Sequence, residues 1–211
     1  MSQSVIAASA SILCKIAEHY KIDPSPIFQQ AGLDIGLMRR DPNARYDSAD
    51  IDKAWSLLAI QIDHPCFALK AADCWHPSDL HALGYAWLSS TSLRSALERL
   101  CRYTRIITDM DDFTLHESEE SVTVIVENRG LPENVLWAAD ASMAMLVSMC
   151  RVNHGQDFNP LSVEFMHPEP PCASEYYATF RCPLVFNADA NCLQLSSQVI
   201  DEPLAGANAV L

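Results

Sequence analysis

Hydrophobic residues recur at helical spacing through the first half of the chain. Turn and cap residues divide this half into segments, because Pro and Gly punctuate helices and Asp and Ser favour their first positions. Helices are predicted from Val5 to Tyr20, from Pro24 to a stop at Gly32, from Asp47 or Ser48 through Ile62, and from His64-Pro65 through Ala72. The first half is therefore predicted to be helical.

The most regular segment of the chain runs from Leu93 to Ile107, where apolar residues recur every three or four positions. Its other side carries charges, among them Arg94, Glu98 and Arg102. This pattern is typical of an amphipathic helix lying on a core. Because Glu98 is four residues from both arginines, we expect these charges to pair on the exposed face.

The spacing changes to strict alternation in the second half, which is typical of half-buried strands. Strands are predicted at Phe113–Leu115, Val122–Val126, Leu161–Phe165, Leu184–Phe186 and Cys192–Leu195, with helices from about Glu133 to Val152 and from Cys172 to Phe180. The predicted fold class is α+β: N-terminal helices followed by a mixed or antiparallel sheet of about five strands (β-β-α-β-α-β-β) packed on helices.

The length of 211 residues suits a single domain, 1–211, with a helical subdomain 1–108 and an α+β subdomain 109–204. Acidic residues outnumber basic ones by 27 to 14, which gives a net charge of -13. This charge argues against direct contact with nucleic acid, which needs clustered Lys and Arg, and against anionic membranes. No membrane helix or signal peptide is recognisable, so a cytoplasmic protein is expected.

The eight cysteines are scattered, without a CxxC pair. This spacing is not a zinc signature. We expect the thiols to behave as small core residues in a reducing compartment, and we expect no metal and no cofactor.

Candidate chemistry is sparse, because the chain has no GxSxG, GxxxxGK[ST], GxGxxG or HExxH motif. Two alternatives stay open. A small enzyme would use a Cys or His such as Cys101, Cys150 or His167, and a haem or cofactor sensor would use His76 or His81.

Several short sequence motifs, rather than the periodicity, carry a resemblance to a known family. The run from Asp79 to Leu97, DLHALGYAWLSSTSLRSAL, continues into Arg102-Tyr103, and 163–168 reads VEFMHP. Together with QAGL at 30–33 and FRCPLVFN at 180–187, these motifs resemble, in the same order, those of an effector-binding family. The resemblance extends from about Ile12 to Leu204. That family forms the N-terminal half of a branch of AraC-type bacterial transcription regulators and is described as an arabinose-binding-like domain. Cys182 departs from it, since relatives usually have Gly before the Pro.

The resemblance implies a ligand-sensing and oligomerisation domain without catalytic residues. It implies a small-molecule effector, the protein's own C-terminal helix-turn-helix domain beyond Leu211 and a homodimer as partners, with no direct nucleic acid contact and no membrane. The ligand site is predicted between the sheet and the helices. Its predicted walls are Trp87, Tyr103, Trp137, Met143 and Phe165, and its predicted polar anchor is Arg102 or His167.

Overall fold

The structure is a computed structural model and describes residues 3–41, 43–129 and 136–204. Ten α-helices lie in these ranges: α1 Ser11–His19, α2 Pro24–Ala31, α3 Leu37–Arg40, α4 Ser48–Ile62, α5 Ala71–Cys74, α6 His81–Leu88, α7 Leu93–Ile107, α8 Leu136–His154, α9 Ala173–Phe180 and α10 Ser197–Asp201. Three short 3₁₀ helices, Ala7–Ala10, Phe67–Lys70 and Pro77–Leu80, connect some of them. No helix within these ranges is long and apolar enough to cross a bilayer.

The second half forms a five-stranded mixed sheet that is open and not a barrel. Its strands are β3 Asp111–Glu117, β4 Ser121–Asn128, β5 Ser162–Glu164, β6 Leu184–Val185 and β7 Cys192–Ser196. The spatial order is β3-β4-β7-β5-β6, with β5 and β6 parallel and the other pairs antiparallel. The predicted α+β class and the order of strands and helices from β3 to β7 are thereby confirmed.

Two further short strands were not predicted. β1 Ser4–Ile6 pairs antiparallel with β2 Arg45–Asp47, and Val5 also bridges to Thr108. The prediction of a helix from Val5 is therefore wrong at its start, because the helix α1 begins only at Ser11. Three-residue strands show too little alternation to be recognised in a sequence.

Other predicted boundaries hold to different degrees. Asp47 caps α4 through the backbone N–H of Ala49, and Gly32 ends α2 with a φ of 88°. The predicted helix α7 has its expected bounds. The predicted start of α8 at Glu133 lies outside the described residues.

The expected pairing of Glu98 with two arginines is not observed among the described residues. Arg94 instead reaches across the surface to Glu117 at the end of β3 and to Asp201 in α10. Tertiary neighbours offer this guanidinium two carboxylates at once, which outweighs one helical i,i+4 contact worth a few tenths of a kcal/mol.

The prediction of eight separate thiols is wrong for Cys66 and Cys172, which form a disulfide with a Cα–Cα distance of 6.3 Å. These cysteines are 106 residues apart, so their spacing in the sequence gives no sign of the pairing. The disulfide links the segment after α4 to the start of α9, and these two segments are distant in the sequence.

The buried apolar residues form two clusters. One lies between the sheet and helices α6 to α9, and the other lies among α1, α2, α4 and the 3₁₀ helix Phe67–Lys70. The long helix α8 contacts both, since Met143 belongs to the first cluster while Trp137 packs against the second. The division of the chain at residue 108 stays a prediction.

Candidate functional site

A partly open cavity of about 130 Å³ lies where the two apolar clusters meet. Helices α1, α4, α7 and α8, with the start of β3, supply most of its wall. The cavity is therefore bounded by both halves of the chain. A dry apolar cavity of about 150 Å³ can hold a molecule the size of benzene.

Helical spacing explains the apolar wall. In α7, Leu100, Thr104 and Ile107 follow one another at intervals of four and three and face the cavity. In α8, Ala141 and Met145 lie four residues apart and also face the cavity. Residues at these intervals share one face of a helix.

Two tryptophans form one edge of the cavity. Trp55 of α4 and Trp137 of α8 stack with ring centroids 5.2 Å apart and planes inclined by 7°. Aromatic pairs in such contact contribute beyond the area they bury. This pair joins the two halves directly beside the cavity.

A carboxyl group marks the polar end of the cavity. Asp111 lies at the start of β3 opposite Asn128 of β4, and its Oδ1 accepts a hydrogen bond from Asn128 Nδ2 at 2.7 Å. Asp111 and Ser142 of α8 both line the cavity. Burial raises the pKa of Asp111 to about 6, so this carboxyl is ionised at pH 7.5.

A second carboxyl lies near the first. Asp52 of α4 has a buried Oδ1 without a hydrogen-bond partner among the described residues. Burial, together with the charge of Asp111, raises the pKa of Asp52 to about 6. An unpaired buried oxygen of this kind is costly, and it would be satisfied by a donor in the neighbouring space.

The lining carries no positive charge: Asp111 is the one ionisable side chain among the described residues that form it. Nor does either carboxyl join an ion pair within those parts of the chain. The electrostatic character of the cavity is therefore negative.

The alternation of side chains between the two faces of β3 indicates on which side Asp111 lies, and this was not predicted from the sequence. Phe113 is buried, and residues two apart on a strand face the same side. Asp111 must then face inward as well. Asp52 follows Ile51 and precedes Trp55 by three positions, so it lies at the border of the apolar face of α4.

The seven predicted ligand-binding residues lie in three places. Trp137 lines the cavity. Arg102 and Tyr103 are exposed on α7, away from it. The others are buried in the sheet-side cluster or beside it: Trp87, Met143, Phe165 and His167. Their role in ligand binding stays a prediction, and the structure does not bring the seven together.

His167 takes part in a buried polar cluster. Its Nε2 lies 3.1 Å from Oδ1 of Asp140, whose Oδ2 accepts a hydrogen bond of 2.7 Å from the Tyr176 hydroxyl. Its Nδ1 lies 2.8 Å from the backbone oxygen of Pro168, which can only accept, so Nδ1 donates. A proton must therefore also lie between Nε2 and Asp140. Although burial opposes the charge, the hydrogen bonds to Asp140 and Pro168 raise the pKa of His167.

This cluster predicts that stability falls as the pH rises above neutral. The pKa of His167 is higher in the folded chain than its ordinary 6.5, so its contribution is complete below about pH 6.5 and is lost as the pH rises through the folded value. The free energy of unfolding is expected to fall by up to about 1.4 kcal/mol per pH unit in that range. Urea unfolding between pH 6 and 9 measures it, and His167→Gln is expected to flatten the slope.

Among the residues of the two alternative chemistries, His76 has a structural role and the two thiols have raised pKa values. His76 caps the 3₁₀ helix Pro77–Leu80 through its Nδ1. Asp79, between His76 and His81, accepts hydrogen bonds from Ser11 and Lys15 at 2.6 Å each. Burial raises the pKa of Cys150 to about 12 and that of Cys101 to about 11, so both stay protonated and weakly nucleophilic.

Comparisons with known proteins agree with one another. The family model described as the N-terminal arabinose-binding domain of AraC transcription regulators matches residues 22–204. Over 208 residues, the chain is 24% identical to the ornithine utilization regulator of Pseudomonas aeruginosa, covering 98% of this chain and 61% of that protein. The crystal structure of the transcriptional regulator CdpR from Pseudomonas aeruginosa has a similar fold, with a TM-score of 0.65 at 14% identity, covering 88% of this chain and 57% of that one.

Proposed function

The chain belongs to the family of N-terminal arabinose-binding domains of AraC transcription regulators, and on that premise we propose that it binds its effector in the cavity between its two apolar clusters. The family and the similar proteins are transcriptional regulators and not enzymes. The observation that carries the proposal is the apolar cavity with the Asp111 carboxyl in its lining. Ligand sites are typically apolar clefts with a few oriented polar groups.

The chemistry of the lining favours an effector with a compact apolar body and a positively charged group. The wall is made mainly of aliphatic, aromatic and methionine side chains, which match a body about the size of one ring. Asp111 would accept hydrogen bonds from an ammonium or amidine group, and the negative charge of Asp52 nearby would add to the attraction. A carboxylate would be repelled, because no Lys, Arg or His of the described chain lines the cavity.

The similar protein from Pseudomonas aeruginosa is named for ornithine utilization. The side chain of ornithine ends in an amino group, which the Asp111 carboxyl would attract, but its α-carboxylate would be repelled by the same lining. The proposal therefore rests on the chemistry of the lining. We propose an amine as the class of effector. This proposal is opposite to the expectation from Arg102 or His167 as the polar anchor, because a basic anchor would favour an acidic effector.

The position of the cavity supports a mechanism for signalling. Its ligand would contact α1 and α4 on one side and α7 and α8 on the other, so it would prefer the arrangement in which these helices close on it. A tenfold preference for one arrangement shifts the equilibrium by about 1.4 kcal/mol. In the proposed mechanism, this shift controls an attached DNA-binding domain.

A series of probes with one ring and different head groups tests the site. Benzylamine, benzyl alcohol and benzoate at equal concentrations are expected to stabilise the chain in that order, with benzoate giving no shift in Tm. Both head groups can donate a hydrogen bond to the Asp111 carboxylate, but only the ammonium adds an ionic attraction, so benzylamine is expected to bind about tenfold more tightly than the alcohol, a difference of about 1.4 kcal/mol. Thermal unfolding at pH 7.5 measures this, because a ligand at a hundred times its Kd adds about 2.7 kcal/mol.

Asp111→Asn is the matched variant, since it keeps the shape and removes the charge. It should reduce the preference for the amine over the alcohol to about twofold or less. Lowering the pH of the wild-type protein through about 6, where Asp111 takes up a proton, should have the same effect. Equal stabilisation by amine and alcohol in the wild-type protein would refute the amine class, and no response to any probe would refute the site.

The proposal also includes a homodimer in the cytoplasm that makes no contact with DNA through this chain. The charge of -13 supports the last point, because phosphate contacts need basic clusters. Sedimentation is expected to give twice the chain mass of 23.4 kDa. A monomer at micromolar concentration would contradict the dimer without affecting the ligand site.

A further inference from the structure

Four side chains with metal-binding atoms meet at the disulfide. His64 and Cys66 follow α4, whereas Cys172 and Glu175 lie at the start of α9. Two segments about a hundred residues apart therefore supply two such side chains each. The cluster is separate from the cavity, because none of the four lines it.

The distances within the cluster are those of a nearly assembled site. Nε2 of His64 lies 3.1 Å from Oε1 of Glu175, and the ligating atoms of His64, Cys172 and Glu175 all lie within 4.8 Å of one another. Cys66 Sγ is bonded to Cys172 Sγ, so the fourth donor is adjacent to the other three. A tetrahedral zinc site with bonds of about 2.0–2.2 Å to N and O places those atoms about 3.3–3.5 Å apart.

We propose that the reduced chain binds one Zn²⁺ through the Cys66 and Cys172 thiolates, His64 and Glu175. Thiolate, imidazole and carboxylate are the donors that zinc takes in proteins. Two electrons and two protons from a dithiol convert the disulfide into two thiols, and the dithiol becomes a cyclic disulfide. Zinc then displaces one proton from each thiol. The oxidised chain lacks both thiolates and does not form the site.

Access to the cluster is open on one side. The side chains of His64 and Glu175 are 38% and 39% exposed, while Cys66 is fully buried. Nδ1 of His64 accepts a hydrogen bond of 3.3 Å from the backbone N–H of Cys66. Zinc at Nε2 leaves the ring proton on Nδ1, so this long bond is given up and the ring turns. The two sulfurs, which are bonded to each other in the disulfide, also separate to about 3.7 Å, because each lies about 2.3 Å from a tetrahedral zinc ion.

The site has a structural consequence in both redox states. The disulfide and the zinc ion would each hold the segment after α4 against the start of α9. The reduced, metal-free chain lacks either link. Only in the reduced, zinc-free state would the segment after α4 and the start of α9 be held together by neither link.

Metal titration of the full chain tests the proposal. The protein is reduced, freed of metal and titrated with ZnCl₂ in competition with a coloured chelator, and in parallel with CoCl₂. One equivalent of zinc per chain is expected, and the cobalt form should show the thiolate-to-metal absorption and the strong visible bands of a tetrahedral site. Cys172→Ser is expected to weaken zinc binding at least about 100-fold, and Glu175→Gln about tenfold.

Two controls isolate the cluster. Cys182→Ser removes a free, partly buried thiol elsewhere and should leave zinc affinity unchanged. Protein with the disulfide intact should bind no zinc at the concentrations used. The proposal is overturned if the reduced wild-type chain binds no zinc, if its cobalt form lacks thiolate absorption, or if Cys172→Ser or the oxidised chain binds as tightly as the reduced wild-type chain. The cobalt spectrum keeps the proposal testable should Cys172→Ser not fold.

Discussion

Replacing Asp140 with Ala is expected to lower the free energy of unfolding by about 3–5 kcal/mol. Asp140 is fully buried, and it is the common partner of the Tyr176 hydroxyl and of Nε2 of His167. Without it, both groups stay buried and lose their partner. The proton between Nε2 of His167 and Asp140 loses one of its two binding partners as well. Removing one member of a buried charge pair costs far more than the pair contributes, because the remaining charge is uncompensated.

Urea unfolding at pH 6.5 followed by circular dichroism measures this change. Asp157→Ala is the control, because Asp157 is exposed and surface substitutions usually change stability by less than about 0.5 kcal/mol. A loss below about 1 kcal/mol for Asp140→Ala would show that the buried cluster is not formed as the structure has it.

The second large effect is expected at Gly84 in α6. A Cβ at this position would lie 1.9 Å from the backbone oxygen of Pro77, so the helix and the preceding 3₁₀ segment would have to separate. In an open helix, Gly→Ala stabilises by about 1 kcal/mol. Here overpacking reverses the sign, and Gly84→Ala is expected to destabilise the chain by about 3 kcal/mol.

Gly36→Ala provides the contrast for thermal unfolding. Its Cβ would meet chiefly the flexible end of Arg40, and its φ of -72° suits any residue. We expect a change within about 0.5 kcal/mol. If Gly84→Ala were as stable as Gly36→Ala, the close contact between α6 and Pro77 would be refuted.

Periodicity was sufficient to predict the fold class. The helix Leu93–Ile107 was predicted with its full extent from its apolar stripe, and the Ser92 cap in the structure lies at the predicted start. The hairpin of β3 and β4 was recognisable from its alternation. What periodicity could not show are contacts between distant segments, such as the disulfide between Cys66 and Cys172 or the two-stranded ribbon of β1 and β2.

The site was harder to predict than the fold. Composition identified large aromatic residues, but most of them fill cores, and Trp87 for example is fully buried with its Nε1 donating to the backbone oxygen of Met149. The cavity arises instead where small side chains such as Ala138 and Ala141 leave space between large ones. Whether a small residue leaves a gap depends on what faces it across the core, and a single sequence does not contain that information.

The positions of the two inward-facing acidic residues could have been predicted from the sequence. Asp111 begins a strand whose buried face is defined by Phe113, and Asp52 borders the apolar face of a helix. A charged residue placed by periodicity on a core side is expensive unless it has a partner or a function. Asp111 lines the cavity and its charge acts on Asp52, so an amine bound beside Asp111 would compensate the negative charge there.

Calorimetric titration with benzylamine tests most directly whether this cavity is the binding site. Ala141 lines the cavity, and Ala141→Leu adds three carbon atoms there, while Ala49→Leu adds the same atoms at an exposed position of α4. The account predicts one binding site per chain in the wild type and in Ala49→Leu, and an affinity at least about tenfold lower in Ala141→Leu, a loss of about 1.4 kcal/mol. Equal affinity in all three proteins would place the ligand elsewhere and contradict the account.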